Sequence, residues 1–175
     1  MGSPFVRGIA GAIMALAATG VWAQDSSENQ VAVKTAWSVF EDNDPKECWA
    51  VSAPKETVNT KDGRVVAVRR SDILLMAFYR PGAGVSGQIT FTGGYPFAPG
   101  IPVTLEVDDE KYSLTSEGEW AWSESSDADA KIIAAMKRGK DAVLTARSAR
   151  GTQTKDRFSL LGFTAALDEA AKRCK

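Results

Sequence analysis

The chain contains no histidine. That one fact removes Ser–His and Cys–His nucleophilic pairs, histidine general bases and histidine metal ligands together. Catalysis would have to rest on carboxylates, lysines, tyrosines or a Ser–Lys pair. Ser148 and Ser159 lie near basic residues but form no S-x-x-K pattern. The acids collect at Glu41, Asp42, Asp44 and Glu47. Such oxygens suit a hard cation such as Ca²⁺, but the cluster lacks the glycine and terminal glutamate of a calcium loop, and a solvated turn accounts for it. A carboxylate hydrolase would need two acids facing each other across a groove, and no such pair can be placed from the sequence. No catalytic residue, metal or cofactor is assigned.

Three further sets of side chains are suited to binding. Tyr95 and Phe97 bracket Pro96 in a turn-rich connection. They form either a rigid aromatic tip that docks a partner or a plug that closes one end of the core, and the plug is the simpler reading. Arg147, Arg150, Lys155 and Arg157 surround Gly151-Thr152. On two hairpinned strands Arg147, Lys155 and Arg157 line up as a basic stripe, with Arg150 at the turn. The stripe suits an acidic partner, lipid headgroups or lipopolysaccharide phosphates, or else it is a solvated edge that discourages strand pairing between molecules. Trp120 and Trp122 share one face of a strand. They are read as a core pair, with stacking on sugars or anchoring of a partner as the alternative.

The elements that hold these residues follow from periodicity. Val31, Val33, Thr35, Trp37 and Val39 alternate with small or polar residues and predict one strand. Further short strands are expected at Cys48–Val51, near Thr57, over Arg64–Arg70, Ile73–Tyr79, Gly87–Thr92 and Pro102–Val107, and around Tyr112, Trp120, Ala142–Ser148 and Thr154–Leu160. One internal helix, capped by Ser126 or Asp127 and stopped by Gly139, carries Ile132, Ile133 and Met136 on its apolar stripe. Thr164 is expected to cap a closing helix whose inner face holds Leu167, Ala170 and Cys174. The fold class is therefore mainly β: an antiparallel β-sandwich of about nine or ten short strands with one internal and one C-terminal helix. The expected organisation is a signal peptide over residues 1–23, a flexible tail over 24–30 and a single β-sandwich domain over 31–175.

The amino terminus sets the address. One positive charge precedes an uncharged apolar run of 14 residues, Gly8 to Val21. Val21-Trp22-Ala23 then presents small residues at a cleavage site between Ala23 and Gln24. The run is shorter than the ~20 residues that span a bilayer, so an export signal is read in place of an anchor, and no transmembrane segment follows it. In an oxidising compartment Cys48 and Cys174, the chain's two cysteines, are expected to form a disulfide. Free or redox-active thiols are the alternative, at a spacing far from C-x-x-C. A formal net charge of −1 argues against nucleic acid as a partner.

Several motifs then occur in a characteristic order. Trp37 is followed by Cys48, then Gly94-Tyr95-Pro96-Phe97 with Gly100, then Ala134-Ala135-Met136-Lys137-Arg138-Gly139. Arg150-Gly151-Thr152 through Asp156, Phe158-Ser159-Leu160, Gly162-Phe163 and Ala165-Ala166-Leu167 lead to Cys174. In this order and spacing the chain resembles the invasion-associated locus B family of alphaproteobacterial secreted proteins, over nearly all of its length after the export signal. The resemblance implies a β-rich exported protein of the periplasm or outer membrane. In pathogens, members are linked to entry into host red cells, and the family supplies no catalytic residues to carry over.

The combined expectation is an exported, non-enzymatic envelope protein that binds an envelope or host protein, in an invasion or envelope role. Its location would be the periplasm, the outer membrane or the outside of the cell. The rival is a periplasmic inhibitor of a lytic enzyme such as lysozyme or a protease, with the Tyr95–Phe97 loop as its inserting element.

Overall fold

Strands that alternate apolar and polar side chains bury one face by pairing and by folding sheet over sheet. In a computed structural model, which describes residues 28–175, this alternation builds twelve strands. The expected export signal, its cleavage site and residues 24–27 of the tail lie outside the described residues. In chain order the elements are β1 (Gln30–Lys34), β2 (Trp37–Asn43), β3 (Lys46–Ser52), β4 (Glu56–Lys61), β5 (Arg64–Val65), β6 (Leu74–Arg80), β7 (Val85–Thr92), β8 (Val103–Val107), β9 (Glu110–Glu117), β10 (Trp120–Trp122), α1 (Ser126–Arg138), β11 (Asp141–Arg147), β12 (Gln153–Ser159) and α2 (Phe163–Arg173).

All pairings are antiparallel, in the order β1-β2-β3-β6-β7-β10-β9-β8-β11-β12-β4-β5. The strand β9 joins the two halves: Glu110 to Leu114 pair with β8, whereas Thr115 to Glu117 pair with β10. The halves then face each other across the core. Phe91 of β7 meets Phe158 of β12 edge-on, with ring centroids 6.2 Å apart. The Trp37 indole donates to the Ser159 carbonyl at 2.9 Å. The chain is a mainly β, sandwich-like structure with two helices, in agreement with the sequence.

Both helices serve the core. In α2, Phe163, Ala166, Leu167 and Ala170 are buried against β2 and β3, and Phe163 packs on Trp37 at 4.9 Å. Thr164 does not cap this helix. Gly162 takes the cap position in a left-handed conformation, and a Cβ there would come within 1.9 Å of the Lys34 carbonyl, so the close approach requires glycine. Helix α1 is capped by Ser125, not by the expected Ser126 or Asp127, because the Ser125 side chain is the one that accepts the Ala128 N–H. On its buried face, Asp129 Oδ1 accepts from the Ile89 N–H at 2.7 Å and from the Ser123 hydroxyl, which ties the helix to β7.

Three further expectations change. The alternating run over 31–39 is two strands, because Thr35 adopts a positive φ of 58° and turns the chain. Alternation alone cannot tell one strand from a two-residue hairpin that lacks glycine. The expected Arg64–Arg70 strand stops at Val65. The tryptophans of β10 are not a core pair: Ala121 between them is fully buried, whereas Trp120 is 47% exposed.

The cysteines are bonded, with Cα atoms 5.8 Å apart, and tie β3 to the end of α2 across a sequence separation of 126. In the chain-entropy account such a loop contributes about 4–5 kcal/mol. Double Cys48→Ser/Cys174→Ser substitution should therefore lower the unfolding free energy, read by chemical denaturation, by up to about that amount, with the far-UV spectrum retained because Trp37 and Phe163 still pack. A second prediction concerns Asp129. Burial pushes its carboxyl up from the ordinary value of 3.8, and the bonds from Ile89 and Ser123 only partly offset this. The folded state then holds the proton more tightly than the unfolded state, so stability falls as pH rises from 3.8 through the raised folded value. Asp129→Asn should flatten that limb of the stability–pH curve.

A candidate binding groove

An acidic side chain at an inward position of a strand is costly unless it is paired. In β12, Thr154, Asp156 and Phe158 point inward, and Asp156 is fully buried. Its partner comes from the irregular segment between β5 and β6. There Val66 donates its N–H to the Asn59 carbonyl and Ser71 to the Gly94 carbonyl, which delivers Arg70 under the second half of the sandwich. The Arg70 guanidinium donates through two nitrogens to both Asp156 oxygens, at 2.7 and 2.6 Å. Its remaining bonds run to the Gly93 carbonyl at 2.7 Å and to Asn59 Oδ1 at 3.3 Å. With the Arg70 side chain only 5% exposed, the bidentate pair is sealed from water. Burial pushes the Asp156 carboxyl up, and the Arg70 bonds and charge pull it back.

Tyr95 packs over this pair. The Arg70 guanidinium carbon lies 5.0 Å from the centre of the Tyr95 ring, and the Tyr95 hydroxyl is 2.5 Å from Thr154 Oγ1. Burial pushes the phenol up, which keeps it protonated. Gly94 permits the close turn: its φ is +71°, and a Cβ would meet the Ser71 carbonyl at 2.6 Å. Phe97 is buried against Phe91, and the loop is held by Phe97 N–H to the Gly118 carbonyl and Ala149 N–H to the Pro96 carbonyl. Of the expected docking loop, Phe97 belongs to the core, Tyr95 is half-buried and Pro96 is exposed.

Above this floor lies a groove of about 520 Å³. Tyr95, Ser148, Thr152 and Thr154 supply hydroxyls to it, and Val68, Arg69, Pro96, Glu119 and Arg150 form its exposed rim. The basic residues separate. Arg150 reaches the groove. Arg147, Lys155 and Arg157 lie on the outer side of β11 and β12, and Arg157 is paired with Glu56 at 3.2 Å and Asp141 at 3.6 Å. Strand β12 is not a sheet edge, since β4 pairs with its far side. Among the described residues, no carboxylate lies within ion-pair distance of Arg69, Arg147, Arg150 or Lys155.

Other candidates are occupied with structural contacts. Glu41 accepts from Lys46 and from Arg173 at 2.9 Å, Asp42 accepts from Asn29, and Glu47 faces Arg80 at 3.2 Å. Lys46 and then Arg173 hold the Glu41 carboxyl below its ordinary value. Among the described residues, no group of three or more potential ligands is arranged for a metal. Sequence reasoning misses Arg70 and reaches Asp156 only as part of a motif. The available signal is the phase of β12, which puts an acid between two inward side chains.

The pair makes a direct prediction. Arg70→Leu should cost about 3–5 kcal/mol by denaturant unfolding, because Asp156 is left buried and unpaired. Arg70→Leu/Asp156→Leu should recover most of that loss, and an additive cycle would show that the bridge is not coupled.

A family model described as Invasion associated locus B (IalB) protein matches residues 37–171 of the 175-residue chain. No curated protein and no solved structure matches.

Proposed function

The chain belongs to the invasion associated locus B family, and on that premise we propose that it acts as an exported, non-enzymatic binding module of the cell envelope, with the Tyr95 groove as its docking site. One observation carries this reading: the groove has a rigid, charge-neutral floor and a rim whose arginines have no ion-pair partner among the described residues. Recognition needs pre-organised polar groups that are not already satisfied. The acid beneath this groove is locked to Arg70, and Glu119 on the rim has no second carboxylate facing it among the residues that line the groove. The Cys48–Cys174 disulfide points to an oxidising compartment, in keeping with the export signal read from the sequence. Among the described residues, no helix is long and apolar enough to cross a membrane. Envelope or host-invasion roles both fit a binding module. The inhibitor reading requires a protruding Tyr95–Phe97 loop, and Phe97 is buried.

Expression of the full chain followed by fractionation and in-cell crosslinking tests the proposal. The mature amino terminus should be Gln24, in the periplasmic or outer-membrane fraction. A crosslinked envelope or host partner should be lost in Arg69→Glu/Arg150→Glu, whose exposed positions leave the fold intact. Cytoplasmic retention of the uncleaved chain would refute the export reading. An unchanged crosslink in the charge-reversed variant would move the docking site elsewhere.

A further inference from the structure

Two arginines from separate elements line one recess. Arg69 comes from the segment between β5 and β6, and Arg150 from the turn between β11 and β12. Both are exposed, and neither has a carboxylate partner among the described residues. Because both line one groove, an anion bound there would meet two cations that no carboxylate neutralises. The groove's own ions leave that anion to be supplied from outside: Arg70 answers Asp156, which leaves Glu119 alone against Arg69 and Arg150. Resting on the binding-module reading and on the same groove, we infer that its ligand is a phosphorylated saccharide, with the phosphate held by Arg69 and Arg150.

The chemistry selects phosphate over a simple carboxylate. One guanidinium fork satisfies a carboxylate, whereas a phosphate monoester has enough terminal oxygens for two forks and a hydroxyl donor. Such hydroxyls are present. Ser148 Oγ accepts the Thr152 N–H at 3.1 Å, so its own proton is directed elsewhere, and the Thr152 hydroxyl has no hydrogen-bond partner among the described residues. The size selects a phosphate carried on something larger. A volume of about 520 Å³ is that of a small-molecule site and exceeds a bare phosphate several-fold. The remaining rim offers Val68 and Pro96 to the C–H face of a sugar and the Glu119 carboxylate to its hydroxyls. Arg70, held by four bonds, keeps the floor from collapsing when the ligand is absent.

Phosphorylated saccharides occur both as soluble sugar phosphates and as headgroups of phosphorylated glycolipids, and the test separates the sources. The disulfide-intact protein is titrated calorimetrically with glucose 6-phosphate, glucose and inorganic phosphate, and by flotation with phosphatidylcholine vesicles with or without a monophosphorylated glycolipid. Binding of glucose 6-phosphate or of the phosphorylated vesicles, without binding of glucose or neutral vesicles, is the expected result. Binding of the sugar phosphate identifies a soluble ligand; binding of the vesicles alone identifies a lipid headgroup. Arg69→Ala/Arg150→Ala should weaken whichever interaction is seen by at least about tenfold at unchanged Tm, and added salt should weaken it too. Absence of binding in both arms overturns the inference, as does binding that survives the double substitution or equals that of glucose. If a crosslinked partner is still lost on charge reversal while no phosphate ligand binds, the binding-module reading stands and the phosphorylated saccharide is excluded.

Discussion

The buried Arg70–Asp156 pair is the constraint on which the groove end of the molecule depends. Asp156 sits at an inward position of β12 with no exposure to water. Left alone it would carry a desolvation cost of several kcal/mol. Arg70 removes that cost only if the chain from β5 to β6 follows one path, because a bidentate bond fixes the guanidinium in both position and plane. That path leaves β5 only two residues long and breaks strand pairing at Val65. It also places the Arg70 guanidinium over the Tyr95 ring and a donor at the Gly93 carbonyl. A buried ion pair adds little net stability over an apolar pair of the same size. What it supplies here is geometry: one arrangement of an irregular segment, of a turn-rich loop and of the strand beneath both.

The architecture is largely legible because period-2 alternation reports directly on which face a strand buries. The paired β11 and β12, the terminating Gly139 and the inner stripe of α2 all follow from sequence pattern. What alternation does not carry is where a run breaks. Thr35 adopts a left-handed conformation without the glycine or asparagine that usually marks one. Gly162 replaces Thr164 at the helix cap because the carbonyl of Lys34 leaves no room for a side chain, a contact set by packing from a distant element. Trp120 and Trp122 illustrate a third gap. Alternation places both on one side of β10 but does not say which side faces the core, and the small Ala121 takes the inward position against Phe91 of β7.

The groove is legible in its parts and not as a whole. Tyr95, Pro96 and Arg150 stand out in the sequence, but in two unrelated groups. They meet because β9 passes from one half of the sandwich to the other, which brings the connection after β7 against the turn between β11 and β12. No local pattern encodes that juxtaposition. Arg70 escapes notice because an arginine in a run of valines and arginines reads as a solvated strand position.

Two surfaces of the protein carry aromatic and charged side chains together, and they differ in what they leave unsatisfied. On the outer side of the first half, Phe40 stacks on Trp49 at 5.5 Å and Trp49 on Phe78 at 5.8 Å, and Arg80 covers Phe78 at 4.3 Å. Arg80 also bonds Gln88 and faces Glu47, each at 3.2 Å. Phe40, Trp49, Phe78 and Arg80 are thus partnered with one another as cross-strand packing that steadies the sheet, whereas Trp120 beside them is 47% exposed and lines an open recess with Arg80 and Trp122. At the groove the order is reversed. The deep ion pair is complete, the ring above it is held in place, and the outermost cations have no partner among the described residues. Binding energy is available where polar groups are fixed but unpaired, because neither reorganisation nor the breaking of an internal bond is needed on association. The unpaired Arg69 and Arg150 on its rim are what support the docking role proposed for the Tyr95 groove.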